Sequence, residues 1–135
     1  MDNVLQVAAA VILNDGHVLA CRRRAGKAAG GKWEFPGGKI EAGETAEEAV
    51  RREVSEELGT EIRVLGAVTT SDTLVGERTI RLICLHAELV GEPPESSTDH
   101  DQMVWTALQD LGDLDWAAPD LPAVDALMTG RLRVQ

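Results

Sequence analysis

The chain is 135 residues long, a length that suits one domain over 1–135, and 44% of it is apolar, enough for a core. Its formal net charge of −10 argues against direct nucleic-acid binding, which calls for a basic surface, and admits a small anionic ligand only where a cation mediates. The two cysteines, Cys21 and Cys84, lie far apart in apolar runs, so buried thiols and a reducing, cytoplasmic setting are expected rather than a disulfide framework.

Residues 4–13, VLQVAAAVIL, form the first apolar run. The flank before it, Met-Asp-Asn, is acidic where a leader would be basic, and the run is too short to cross a bilayer, so it reads as a buried strand with no membrane role. Asn14-Asp15-Gly16 separates it from a second run, His17 to Cys21, which predicts a β-hairpin. Residues 22–32 are basic and glycine-rich, hence a loop. Trp33-Glu34-Phe35 reads as a short strand ending at Pro36-Gly37-Gly38, where the glycine pair permits positive φ and close backbone approach.

A helix follows. Thr45 with Glu48 is a capping box, Val50, Val54 and Leu58 form the core stripe, and Gly59 is the stop. Residues 61–69 and 79–90 read as strands with a polar turn at 70–78, then a loop at 91–101, a strand at 103–106 and a helix at 119–129. This order predicts an α/β (α+β) fold, a mixed β-sheet sandwiched between helices.

Glu53, Glu56 and Glu57 stand at i, i+3 and i+4, so they share one helical face beside the apolar stripe. Their mutual repulsion is worsened by the negative end of the helix dipole. A solvated acidic face offset by Arg51 and Arg52 is the plain explanation; a site for a hard divalent cation, which favours clustered oxygens, is the sharper one.

The whole segment decides between them. Gly38, five residues, Glu44, seven residues, then Arg52-Glu53-Val54-Ser55-Glu56-Glu57-Leu58-Gly59 resembles the Nudix box; the one departure is Thr60, where an aliphatic residue is usual. The resemblance implies the Nudix fold and a MutT-like hydrolase that uses Mg²⁺, with Mn²⁺ as a substitute. It makes Glu53, Glu56 and Glu57 metal ligands, joined by a backbone carbonyl at Gly37 or Gly38. Glu53 or Glu56 would be the general base, Arg52 would fix the Glu56 rotamer, and Glu44 would be structural or would support the metal ligands from behind. Asp99 is the candidate for a further catalytic acid, while His100 reads as structural or solvated. Arg23 and Lys39 would meet the phosphates.

The resemblance also bears on substrate. The chain lacks the proline of ADP-ribose members, has no tyrosine as in diadenosine-polyphosphate members, and lacks the array of NADH members, which leaves a nucleoside triphosphate. MutT-type enzymes that cleanse 8-oxo-dGTP carry an asparagine early in the late helix; here Asp120 stands instead. That aspartate, the tryptophan before Glu-Phe and the Asp99-His100 pair are similar to the CTP pyrophosphohydrolase branch. Cytidine nucleotides (CTP, dCTP or 5-methyl-dCTP) are therefore the leading expectation and 8-oxo-dGTP the alternative. Phe35 and Leu85 are candidates for stacking on the base, with core packing as the competing role. A non-catalytic nucleotide-binding module is disfavoured because every box glutamate is present. The expected state is monomer or homodimer.

Overall fold

The computed structural model describes residues 3–130; Met1 and Asp2 of the acidic flank, and 131–135 at the end of the expected 1–135 domain, lie outside the described residues. Strands β1 (Val4–Asn14) and β2 (His17–Arg23) are joined by Asp15 and Gly16, with φ of 51° and 75°. Paired positive φ values match the twist of the strands, so the Asp-Gly signal delivers the expected hairpin. The short strands β3 (Trp33–Glu34) and β4 (Gly37–Lys39) follow, then α1 (Ala46–Leu58), β5 (Ile62–Val75), β6 (Arg78–Leu89), β7 (His100–Ala107) and α2 (Leu121–Met128).

The strands order as β3-β2-β1-β6-β5, with β4 also on β1 and β7 also on β2. The β1–β6 pairing is parallel and the other pairings are antiparallel, so the sheet is mixed as expected. Period-two alternation along β1 sorts its side chains onto two cores. Ala8, Ala10 and Ile12 pack with Val50, Val54 and Leu58 of α1, while Ala9 and Val11 pack with Val124 and Leu127 of α2 and with Trp116. The sheet is thus covered by helices on both faces. Cys21 and Cys84 are free and buried among these residues.

Several boundaries differ from the sequence expectation: Arg22 and Arg23, expected in a loop, belong to β2, and Gly37–Lys39 form a strand of their own. Residues 70–75 belong to β5, and the turn is only Gly76-Glu77, because Thr70 and Asp72 pair with Ile83 and Arg81 on β6. Polarity there marks an exposed strand face, and threonine is a good strand former. β7 begins at His100 rather than 103, since β2 runs on to Arg23 and supplies the partners. The expected helix at 119–129 splits into a 3-10 turn, Ala118–Asp120, and α2. Pro122 has no N–H to bond back toward Ala118, so the first turn cannot close as α.

Candidate active site

Helix α1 begins as its sequence dictates. The Thr45 side chain accepts from the Glu48 amide, Glu48 reaches back to the Thr45 amide, and Gly59 ends the helix at φ 65°. Its acidic residues then part company. Glu57 is buried, with 6% exposure, and one carboxylate oxygen, Oε2, is sealed from solvent without a hydrogen-bond partner. Glu53 keeps 21% of its side chain exposed and Glu56 57%. The single face expected for three carboxylates is therefore graded: Glu57 turns in, Glu53 lies at the edge, and Glu56 turns out. Burial, then the adjacent Glu53 carboxyl and the charges of Asp99 and Glu34, push Glu57 up to about 9.

Arg52 gathers the rest. Its guanidinium donates to both oxygens of Glu44 (2.7 and 3.0 Å), to Glu53 (2.7 Å), to Glu56 (3.1 Å) and to the Lys39 carbonyl (3.1 Å). The expected Arg52–Glu56 contact is present, within a larger fan. Arg52 and the Glu41 amide hold Glu44 down at about 2.

Strand β4 lies against this helix. Neither Gly37 nor Gly38 has positive φ, which corrects one of the two roles given to the pair; as strand residues on β1 they are extended. Close approach is the role they do fill. A Cβ on Gly38 would overlap the Glu53 carboxylate, and one on Gly37 would overlap the Ala8 backbone. Gly38→Ala should therefore displace Glu53 and lower kcat with little change in Tm, whereas Gly37→Ala should break β1–β4 pairing and lower Tm. Activity assays beside thermal melts of both variants check this contrast.

The residues fit a hard divalent cation. Glu57 Oε2 is a buried oxygen with no partner, beside a second carboxylate, in a site whose donors are all oxygen. Among the described residues no three acidic, histidine or cysteine side chains already converge as a finished metal shell, so binding would bring the second oxygens of Glu53 and Glu56 toward Glu57 while Arg52 keeps hold of the first. Gly37 or Gly38 would add its carbonyl.

The loop before β7 closes the other side. Thr98 N–H donates to the Glu57 carbonyl at 3.0 Å. Asp99 follows it, with its carboxylate 3.8 Å from Lys27 Nζ and its charge felt at Glu57. Arg23 donates through Nη1 to both oxygens of Glu34 (3.1 and 3.2 Å) and through Nε to the Ala28 carbonyl. Lys39 is exposed on β4. His100 is buried, with Nε2 2.8 Å from Glu34 and Nδ1 2.7 Å from Ser97 Oγ. Sequence reasoning missed Glu34, which joins Arg23 to His100. The available signal was a charge held between Trp33 and Phe35.

Beyond Glu34 lies Asp120, 5% exposed, whose Oδ1 accepts the Phe35 amide at 3.1 Å. Burial pushes its carboxyl up to about 8; the Phe35 amide opposes this and the Glu34 charge adds to it. The Phe35 ring is itself only 2% exposed and packs on Trp116 at 4.7 Å, so it is the backbone of Phe35, not its ring face, that meets Asp120. Leu85 is likewise buried.

A mixed sheet between helices, with a carboxylate-bearing helix set against a glycine strand, defines a hydrolase of the Nudix class. The Nudix domain model matches residues 4–127, and the chain belongs to that family, whose members use divalent metal to cleave diphosphate linkages in nucleotide substrates. It is 33% identical to the CTP pyrophosphohydrolase of Escherichia coli K12 over 128 residues, 95% of this chain and 94% of that protein. It is 38% identical over 123 residues to a Mycobacterium tuberculosis H37Rv protein named "Putative 8-oxo-dGTP diphosphatase 2", covering 89% of this chain and 84% of the relative. The crystal structure of a MutT protein from Methanosarcina mazei Go1 superposes with a TM-score of 0.86 over 98% of each chain, at 23% identity, which speaks to the fold. Among the described residues no helix is long and apolar enough to cross a membrane.

Proposed function

We propose that this enzyme is a Mg²⁺-dependent nucleoside triphosphate pyrophosphohydrolase, converting a nucleoside triphosphate and water to the monophosphate and pyrophosphate, with cytidine nucleotides preferred. The observation that carries the reading is the buried Asp120 carboxyl, whose Oδ1 accepts the Phe35 amide.

Bound Mg²⁺ would neutralise phosphate charge and lower the pKa of an attacking water. The protein supplies the rest. Glu53, at the edge of the site beside Gly38, is better placed than the outward Glu56 to take the proton from that water. Arg23 and Lys39 would meet phosphate oxygens, and Asp99, on a loop tied to Glu57, would add a further carboxylate.

Protonated or not, the Asp120 carboxyl keeps an oxygen that can accept the exocyclic amine of cytosine. A second reading has its own support: with its carboxyl held near pH 8, Asp120 is largely protonated at neutral pH and can also donate, as an oxidised purine such as 8-oxo-dGTP would require. The M. tuberculosis relative's name points the same way.

A pyrophosphate-release screen over canonical, methylated and oxidised nucleoside triphosphates separates the two. A cytidine preference is expected. Asp120→Asn should shift selectivity toward 8-oxo-dGTP by about 10-fold, the scale of one altered hydrogen bond in a buried pocket. Preference for ADP-ribose or a dinucleotide would end the proposal.

A further inference from the structure

His100 stands outside the chemistry just described, yet its side chain is fully enclosed. Its two ring nitrogens have different partners. Nδ1 lies 2.7 Å from Ser97 Oγ, and Nε2 lies 2.8 Å from Glu34 Oε2. Ser97 Oγ also accepts the Asp99 amide at 3.3 Å, which leaves its own proton for Nδ1. One tautomer satisfies every atom: Ser97 donates to Nδ1, and Nε2–H donates to the carboxylate.

Glu34 then faces two donors, Nε2–H of His100 and Nη1 of Arg23, and cannot swing toward either without losing the other. Arg23 is held in turn. Nη1 is on Glu34 and Nε is on the Ala28 carbonyl, so Nη2 is the end of the guanidinium that neither bond engages.

We propose that His100 is a positioning residue: backed by Ser97, its imidazole fixes Glu34, and Glu34 fixes the Arg23 guanidinium so that Nη2 is presented to the phosphates of the substrate. The inference rests on Arg23 as a phosphate contact. Its physical basis is preorganisation. A long arginine side chain loses much rotamer freedom on binding, and a fixed one has already lost it.

The test is a double-mutant cycle on kcat/KM, using the best nucleoside triphosphate from the screen. His100→Leu should lower kcat/KM about 10- to 100-fold, as orienting partners of functional groups commonly do. If the effect runs through Arg23, adding His100→Leu to Arg23→Ala should lower it no further. His100→Gln, which can return an N–H near the position of Nε2, should recover most of the loss. Ser97→Ala, a milder change for use should His100→Leu fail to fold, should show the same dependence on Arg23. Additive losses with His100→Gln as poor as His100→Leu, or additive losses for Ser97→Ala, would overturn the inference. An Arg23→Ala enzyme with unchanged kcat/KM would overturn the phosphate role of Arg23 along with it, whereas a loss in Arg23→Ala without one in the His100 variants would overturn the His100 inference alone.

Discussion

Glu57→Gln is expected to lower kcat about 10³-fold or more, about 4 kcal/mol of transition-state stabilisation, while making the metal-free protein more stable at neutral pH. The two effects share one cause. Glu57 is a carboxyl enclosed by protein, with an unpartnered oxygen and a second acid beside it. Holding charge there is unfavourable unless a cation answers it, and holding a cation there is what the chemistry needs. In metal-free native protein Glu57 keeps its proton to about pH 9, whereas in the unfolded chain it releases it near the ordinary glutamate value of about 4.3. Between these values the native state binds more protons, so stability falls as pH rises. The stabilising contribution is complete below the unfolded value and gone above about 9. Melts of chelator-treated wild type from pH 5 to 9 should show a falling Tm, and Glu57→Gln should flatten that slope. Added Mg²⁺ should raise the wild-type Tm, as binding to the native state requires, and leave the variant nearly unmoved. Full turnover in the variant, or an unaltered pH slope, would remove Glu57 from the metal site.

Arg52→Ala is expected to produce the next largest loss, about 10- to 100-fold in kcat, through geometry rather than through contact with substrate. One guanidinium meets Glu44, Glu53, Glu56 and the Lys39 carbonyl. Without it, Glu53 and Glu56 lose their common partner and the carbonyl of β4 loses its donor. Arg52→Lys should recover little, because an ammonium cannot reproduce a planar fork that serves several acceptors at once. Steady-state kinetics with a Mg²⁺ titration checks this: the variant should need more metal for half-maximal activity. An unchanged metal dependence with an unchanged kcat would contradict the role.

Much of the site was legible because it is local. The glutamates of α1, their spacing, the Thr45–Glu48 box and the Gly59 stop all lie on one continuous segment, where helical geometry converts sequence interval directly into position. The Asp15-Gly16 hairpin was legible for the same reason. Two glycines in a row also pointed to close approach, though the extended φ of Gly37 and Gly38 could not be read from residue type, which permits either sign.

What the sequence by itself determined is the helix, its caps, and the presence of more negative charge along it than a helix end tolerates unaided. Tertiary structure alone decided which of those acids is enclosed: Glu57 and Glu56 are neighbours of one type, yet the fold buries the first, whose carbonyl accepts the Thr98 amide, and leaves the second exposed. It also decided the pairings of His100 with Glu34 and of Asp120 with Phe35, across 66 and 85 positions. Separations of that size are closed by strand register and by the packing of two cores, and neither is written in the spacing of residues along a single element.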